Sequence, residues 1–164
     1  TYKMADLKTR RVKTLEFMKQ AKVLEEAKTQ LTNASTALDL ISKQLPKGKS
    51  DEVKELRKQT SAMQDSVKAL QAKLSPPRDT KAQGITRRVQ GVQSKVQGAQ
   101  WALMGGSGAI TGNQETALRV AKKEMAAYLE LINAFFTGPW PEYKELINTA
   151  ELSFFKGEEY KELK

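Results

Sequence analysis

Few side chains in this sequence suit nucleophilic, acid–base or metal chemistry. Its 164 residues include no Cys and no His. Within these residues that excludes disulfides, thiolate or imidazole metal ligands, cysteine nucleophiles and serine–histidine triads. Glu25 and Glu26 would point about 100° apart on a helix, so they do not converge on one site. Asp51 and Glu52 fall in the first turn of a predicted helix, where the helix dipole favours acidic residues. We therefore predict no catalytic residue, no metal ligand and no cofactor in this chain.

A glycine-rich segment at residues 105–113, GGSGAITGN, could in principle hold a phosphate. Glycine-rich loops before a helix do so through their backbone N–H groups. No strand is predicted before this segment, and the Gly-Lys-Ser/Thr ending of a P-loop is missing. We therefore favour a helix connector, after which Thr111 and Gln114 form a capping box that opens the next helix.

Positive charge is concentrated in the first 100 residues. The net charge is +9; residues 1–100 hold 21 Lys and Arg against 10 Asp and Glu, and residues 101–164 hold 7 against 9. A basic half suggests an acidic partner such as nucleic acid, an anionic polysaccharide or lipid head groups. The alternative is a solvated, lysine-rich helix exterior, which the even spread of the lysines favours. Arg10 and Arg11, in a local cluster, are candidate contact residues.

The elements that must position these side chains follow from an apolar seam, a row of residues that alternates steps of three and four. Such a row is the buried side of a helix packed against nearly parallel helices. The seam occupies four stretches: Leu24, Ala27, Leu31, Ala34, Leu38, Ile41, Leu45; Val53, Leu56, Thr60, Met63, Val67, Leu70, Leu74; Ile85, Val89, Val92, Val96, Ala99, Leu103; and Leu118, Ala121, Met125, Tyr128, Ile132, Phe135.

The seam and its Pro- and Gly-rich breaks predict helices at about 4–45, 51–74, 81–104, 112–136 and 142–155. The fold class is an all-α, antiparallel four-helix bundle with long helices plus a short C-terminal fifth helix, in one domain. The chain starts without Met, which favours a piece of a longer protein. Before Leu24 the seam is less regular (Val12, Leu15, Phe17 or Met18), so we expect the first turns to contact something outside this chain.

Glycines recur every seven residues in the third predicted helix, at Gly84, Gly91 and Gly98. Each glycine inside a helix costs about 1 kcal/mol relative to alanine, so three at one heptad position suggest a reason. One interpretation is a bare stripe that a neighbouring helix or a partner approaches closely. The alternative is tolerance on an exposed face.

Aromatic residues are concentrated late in the chain. At helical spacing they indicate core packing or a cluster at one end of the bundle. Trp140 lies between two prolines, which could present its indole rigidly to another domain or a sugar. It is the last candidate contact residue.

The second half of the chain resembles a known arrangement. Thr111-Gly112-Asn113-Gln114 is similar to a Thr-x-x-Gln helix start, and Pro139-Trp140-Pro141-Glu142-Tyr143 followed by Leu146-Ile147-Asn148 is similar to a last turn and helix. Both occur in the C-terminal helical region of bacterial sortilin-like, Asp-box (neuraminidase-type) repeat β-propeller proteins, which are often described as glycosyl hydrolases. The resemblance implies a periplasmic or extracellular protein whose propeller precedes this bundle.

Together these observations predict a non-catalytic structural or interaction domain, the C-terminal bundle of a larger extracytoplasmic propeller protein. Its partners would be other domains of the same polypeptide. The alternative is a stand-alone basic helical module that binds an acidic polymer, nucleic acid or anionic polysaccharide. A small enzyme would need a convergent acidic pocket, which the spacing does not suggest.

Overall fold

Five helices make up the part of the chain that the computed structural model describes, residues 3–45, 51–77 and 89–150. They are α1 (Met4–Gln44), α2 (Asp51–Leu74), α3 (Val92–Met104), α4 (Gly112–Thr137) and α5 (Pro139–Thr149). No strand occurs in these three ranges. The prediction of an all-α bundle with a short helix at its C-terminal end is confirmed.

The predicted seam forms the core of the bundle. Its members in α1, α2 and α4 are buried or half-buried, and the four in α3 are buried. Leu38, Ala121 and Ile132 are at most 1% exposed. Because burying a Leu or Ile side chain contributes about 1.5–3 kcal/mol, this row of residues is what drives the helices together.

The third helix is shorter than predicted. The sequence suggested 81–104, but α3 begins at Val92, and Val89, assigned to the seam, is 73% exposed. Gly91 is extended, with φ −77° and ψ 174°, and lies against the Leu74 carbonyl at the end of α2. Since that contact fixes the chain in a non-helical conformation at Gly91, the apolar spacing before it does not continue the helix. Residues 81–88 lie outside the described ranges.

The fifth helix begins earlier than the predicted residue 142, because Pro139 is its first residue. A proline ring presets φ for a first helical turn, where its missing N–H has no partner to lose. Gly138, with φ −103° and ψ −96°, is the joint between α4 and α5. The helix ends at Thr149, and the predicted remainder, residues 151–155, is outside the described part.

α2 and α3 lie one after the other along α1. α2 runs antiparallel to the second half of α1, with Gln64 donating to Asp39 at 2.8 Å. α3 runs antiparallel to the first half, where Arg10 reaches the carbonyl of Leu103. Because Gly91 lies against the end of α2, the two helices share one side of α1.

α4 runs parallel to α1 and completes the bundle. Lys13 and Glu115 pair at one end at 2.9 Å, and Phe135 joins the cluster of Leu31 and Leu38 at the other. At each level the described bundle therefore has three helices in cross-section. They are α1, α3 and α4 in the half that contains Phe17, and α1, α2 and α4 with α5 in the other. No helix of the described ranges is both long and apolar enough to span a bilayer.

Candidate interaction surface

Arg10, a predicted contact residue, is buried instead. It is 7% exposed, and its guanidinium donates to the carbonyls of Leu103, Gly108 and Ala109 at 2.7–2.9 Å and to Oε1 of Gln114 at 3.0 Å. Five N–H donors in a planar fork make arginine suited to this, and lysine could not reach the same set. The contact prediction is wrong for Arg10, which fastens the α3–α4 connection to α1.

The glycine-rich segment is therefore a connector between α3 and α4, and hydrogen bonds from Arg10 hold it against α1. Its Gly106 lies directly against the Arg10 guanidinium. The predicted capping box of Thr111 and Gln114 is confirmed, and Nε2 of Gln114 also donates to the carbonyl of Ala102 at 2.6 Å. One glutamine thus links the start of α4, the end of α3 and Arg10.

The heptad glycines do not form one stripe in the described residues. Gly91 lies against the carbonyl of Leu74 and the ring of Pro76, as the close-approach interpretation requires. A Cβ on Gly98 would meet nothing within 4 Å, which fits tolerance on an exposed face. Gly84 is outside the described ranges. The one close approach is to a neighbouring element of this chain.

Trp140 is half-buried at the joint between α4 and α5. Its ring lies 5.7 Å from Phe135, 5.9 Å from Phe136 and 6.1 Å from Tyr143, measured between centroids. This matches the core-cluster interpretation. The part of the indole that remains accessible lines a shallow groove with Lys144 and other α5 residues.

One side of α1 is apolar and uncovered. Met4, Leu7, Leu15 and Met18 are 68%, 37%, 50% and 48% exposed, and Arg11 lies between them. Their positions, i, i+3, i+11 and i+14 with Arg11 at i+7, place them on one side of a straight helix over about 21 Å. We call these four apolar residues the α1 stripe.

The α1 stripe borders the outer side of α3. On α1, Lys13 pairs with α4, and it lies on the other flank of the helix from the stripe. On α3, Lys95 pairs with Glu124 of α4 at 2.8 Å and lies opposite Met104. Helical periodicity therefore turns both the stripe and Met104 away from α4, toward a shared surface.

Met104 extends this surface on α3, where it is 65% exposed, and Trp101, one turn earlier and 74% exposed, is its neighbour on the outer side of the helix. We call the α1 stripe together with these two residues the α1–α3 face. The irregular seam before Leu24 signalled part of it, through Leu15 and Met18. The stripe as a whole and the exposure of Trp101 were missed, because the late aromatic residues taken as a set indicate core packing.

The charges around the α1–α3 face are all positive. Lys8, Arg11 and Lys19 are exposed, and no described carboxylate lies within ion-pair distance of them. The two carboxylates of this part of α1, Asp6 and Glu16, lie about 140° around the helix from the stripe. The sequence of α3 contains no acidic residue. The predicted contact residue Arg11 thus belongs to this face.

The ionisable groups with perturbed titration are in the core instead. Tyr128 donates to the carbonyl of Leu70 at 3.0 Å, and burial raises the pKa of its phenol to about 12. Burial also raises the pKa of Tyr143, although its hydrogen bond to Thr60 opposes the rise. No group of acidic side chains in the described ranges is placed to hold a metal ion.

In comparisons with known proteins, no protein-family model, no curated protein and no solved structure matches the chain.

Proposed function

We propose that this chain is a non-catalytic interaction domain that holds another protein surface on its α1–α3 face. The observation that carries the proposal is the α1 stripe, four large apolar side chains on one side of the helix that stay 37–68% exposed among the described residues. Scattered exposed apolar residues are ordinary, but a contiguous set rimmed by polar residues marks an interaction site.

The apolar contribution is comparable in size to the cost of association. Covering a large apolar side chain contributes about 1.5–3 kcal/mol when burial is complete, and these side chains are partly covered already. At about 1 kcal/mol each, the six side chains of the face exceed the lower end of the association cost, which spans about 4–15 kcal/mol.

The resemblance to the helical ends of sortilin-like propeller proteins suggests where the partner would be. It implies that the α1–α3 face contacts another domain of the same extracytoplasmic polypeptide. No comparison bears on this origin, and it stays a prediction.

The alternative of an acidic-polymer module receives less support from the arrangement of charges. Many lysines of the basic half are engaged with nearby carboxylates, which lowers the positive potential available to a polymer. The paired lysines are Lys13, Lys22, Lys28, Lys54, Lys58, Lys68 and Lys95.

Site-specific photocrosslinking in the producing cells tests the proposal. A benzophenone amino acid replaces Leu15 of the face or, as a matched control, Val120 on α4; the two are 50% and 40% exposed. We expect a discrete adduct from position 15 and none from position 120, with the joined segment identified by mass spectrometry. Equal labelling from both positions, or none from position 15, would refute an interaction through this face.

A further inference from the structure

Resting on the proposed function, we infer that the partner of the α1–α3 face is an acidic amphipathic helix that lies along α1. The stripe extends about 21 Å, which is the length of four helical turns. Its side chains recur at the spacing of a helix that packs against a second helix.

Methionine makes this face adaptable to a helix. Three of the five methionines of the chain, Met4, Met18 and Met104, lie on it. Unbranched thioether side chains adjust their shape to a partner and are over-used at helix-binding surfaces. Trp101 adds a large ring of the kind that anchors protein interfaces.

The positive charges of the face favour a partner with a negatively charged surface. Lys8 and Lys19 lie on one flank of the stripe and Arg11 lies within it, all three without described carboxylate partners, and α3 contributes no acidic residue. A helix with Glu or Asp along the facing flank of its apolar side would place carboxylates opposite Lys8 and Lys19 and near Arg11. Complementary rim charges of this kind steer association and reject partners of like charge.

Two other occupants fit less well. A second copy packed antiparallel about the middle of the stripe would set Arg11 against its own copy and would bring no carboxylate of this face to Lys8 or Lys19. An anionic membrane would attract the cations, but Arg11 lies within the stripe rather than at its edge, so insertion of the apolar side chains would draw its charge toward the acyl region.

The test compares two labelled 18-residue helical peptides with the same apolar side. One carries Glu on both flanks and the other carries Lys. Binding to the 164-residue chain is measured by fluorescence anisotropy at physiological salt. We expect the Glu peptide to bind at least tenfold more tightly than the Lys peptide.

A charge-reversal variant makes the test specific to this face. In Lys8→Glu/Arg11→Glu we expect the preference to invert, so that the Lys peptide binds more tightly. The control variant Arg119→Glu/Lys122→Glu makes the same change at the same spacing on exposed positions of α4 and should keep the wild-type preference. An inverted preference cannot come from misfolding, which would only abolish binding.

Several results would overturn the inference. Equal affinities for the two peptides, or an unchanged preference in the Lys8→Glu/Arg11→Glu variant, would remove the role of charge. Binding to phosphatidylserine vesicles, heparin or duplex DNA without peptide binding would assign the cations to another partner. Dimerisation of the chain through the face would assign it to a second copy.

The photocrosslink separates this inference from the proposed function. An adduct at position 15 whose joined segment is not an acidic helix would leave the interaction domain in place and refute the helix. The absence of any adduct would refute the proposed function itself.

Discussion

At the scale of single residues, Arg10 shows how a cation in a basic sequence can be structural. Its guanidinium charge has no carboxylate partner among its hydrogen bonds and is satisfied by three carbonyls and one amide oxygen. Burying a charge is costly unless every donor is used, so the surrounding chain must keep these acceptors in place. Neighbouring Arg11, one residue away and 100° around the helix, is exposed.

A double-mutant cycle checks the coupling between Arg10 and Gly106. A Cβ at position 106 would overlap the guanidinium, whose hydrogen bonds prevent it from moving aside. We expect Gly106→Ala to lower the free energy of unfolding by about 1–3 kcal/mol. In the Arg10→Ala background the same change should cost less than about 0.5 kcal/mol, as measured by urea unfolding.

The matched control is Gly112→Ala, because a Cβ at position 112 would meet nothing within 4 Å. It should change the stability by the same amount, at most a gain of about 1 kcal/mol, in both backgrounds. Additive effects of Arg10→Ala and Gly106→Ala would contradict the contact.

At the scale of elements, the shortness of α3 comes from its neighbour rather than from its own sequence. The apolar spacing continues back through Val89, and local propensity alone does not stop a helix there. The helix is stopped by the close approach of Gly91 to Leu74 and Pro76. The second of the two described heptad glycines, Gly98, has no such constraint.

Alanine at the two glycines should therefore have opposite effects. Gly98→Ala should raise the free energy of unfolding by about 0.5–1 kcal/mol, because it removes backbone entropy from the unfolded chain at an open helical position. Gly91→Ala should lower it by about 1–3 kcal/mol, because a backbone carbonyl and a proline ring cannot give way cheaply. Thermal and urea unfolding of both variants check this, and stabilisation by both would contradict the close approach at Gly91.

At the scale of the whole molecule, α1 and α4 pass through both halves of the described bundle. One core cluster joins Phe17 and Leu24 to α3 and α4, and a second joins Leu31 and Leu38 to α2 and α5. Because only three helices of the described ranges meet at each level, none of them covers one side of α1 in the first half. The α1–α3 face is a consequence of this arrangement.

Stability should fall in alkali, since Tyr128 keeps its proton to higher pH when folded. Its pKa is raised from 10.0 to about 12 by burial, so its contribution is complete below pH 10 and is lost as the pH rises toward 12. At pH 11 we expect a loss of about 1.4 kcal/mol from this group. Urea unfolding of wild type and Tyr128→Phe at pH 8 and 11 measures it.

The phenylalanine variant lacks the titrating hydroxyl, so its stability should fall by about 1.4 kcal/mol less between these two pH values. It retains Tyr143, whose pKa burial also raises, so some alkaline loss remains. An equal loss in both proteins would show that Tyr128 does not titrate as its burial requires.

The sequence by itself determined the helices and their buried sides. Residues such as Leu31, Val67 and Ile132 recur at core spacing, and every predicted seam position of α1, α2 and α4 is at least half-buried. The capping box at Thr111 was also predictable, because its two residues are local to one another. Periodicity and capping depend on neighbours within a few residues, which a sequence displays directly.

Only the tertiary structure decided what depends on residues far apart in the chain. Arg10 shares the heptad phase of the buried residues Phe17 and Leu24, which Arg11 does not, but the acceptors that satisfy its guanidinium come from a connection about 100 residues later. Trp101 lies on the side of α3 opposite the buried seam, and no helix of the described ranges covers it there. Which apolar side remains open is set by how many helices surround it, and no local pattern records that number.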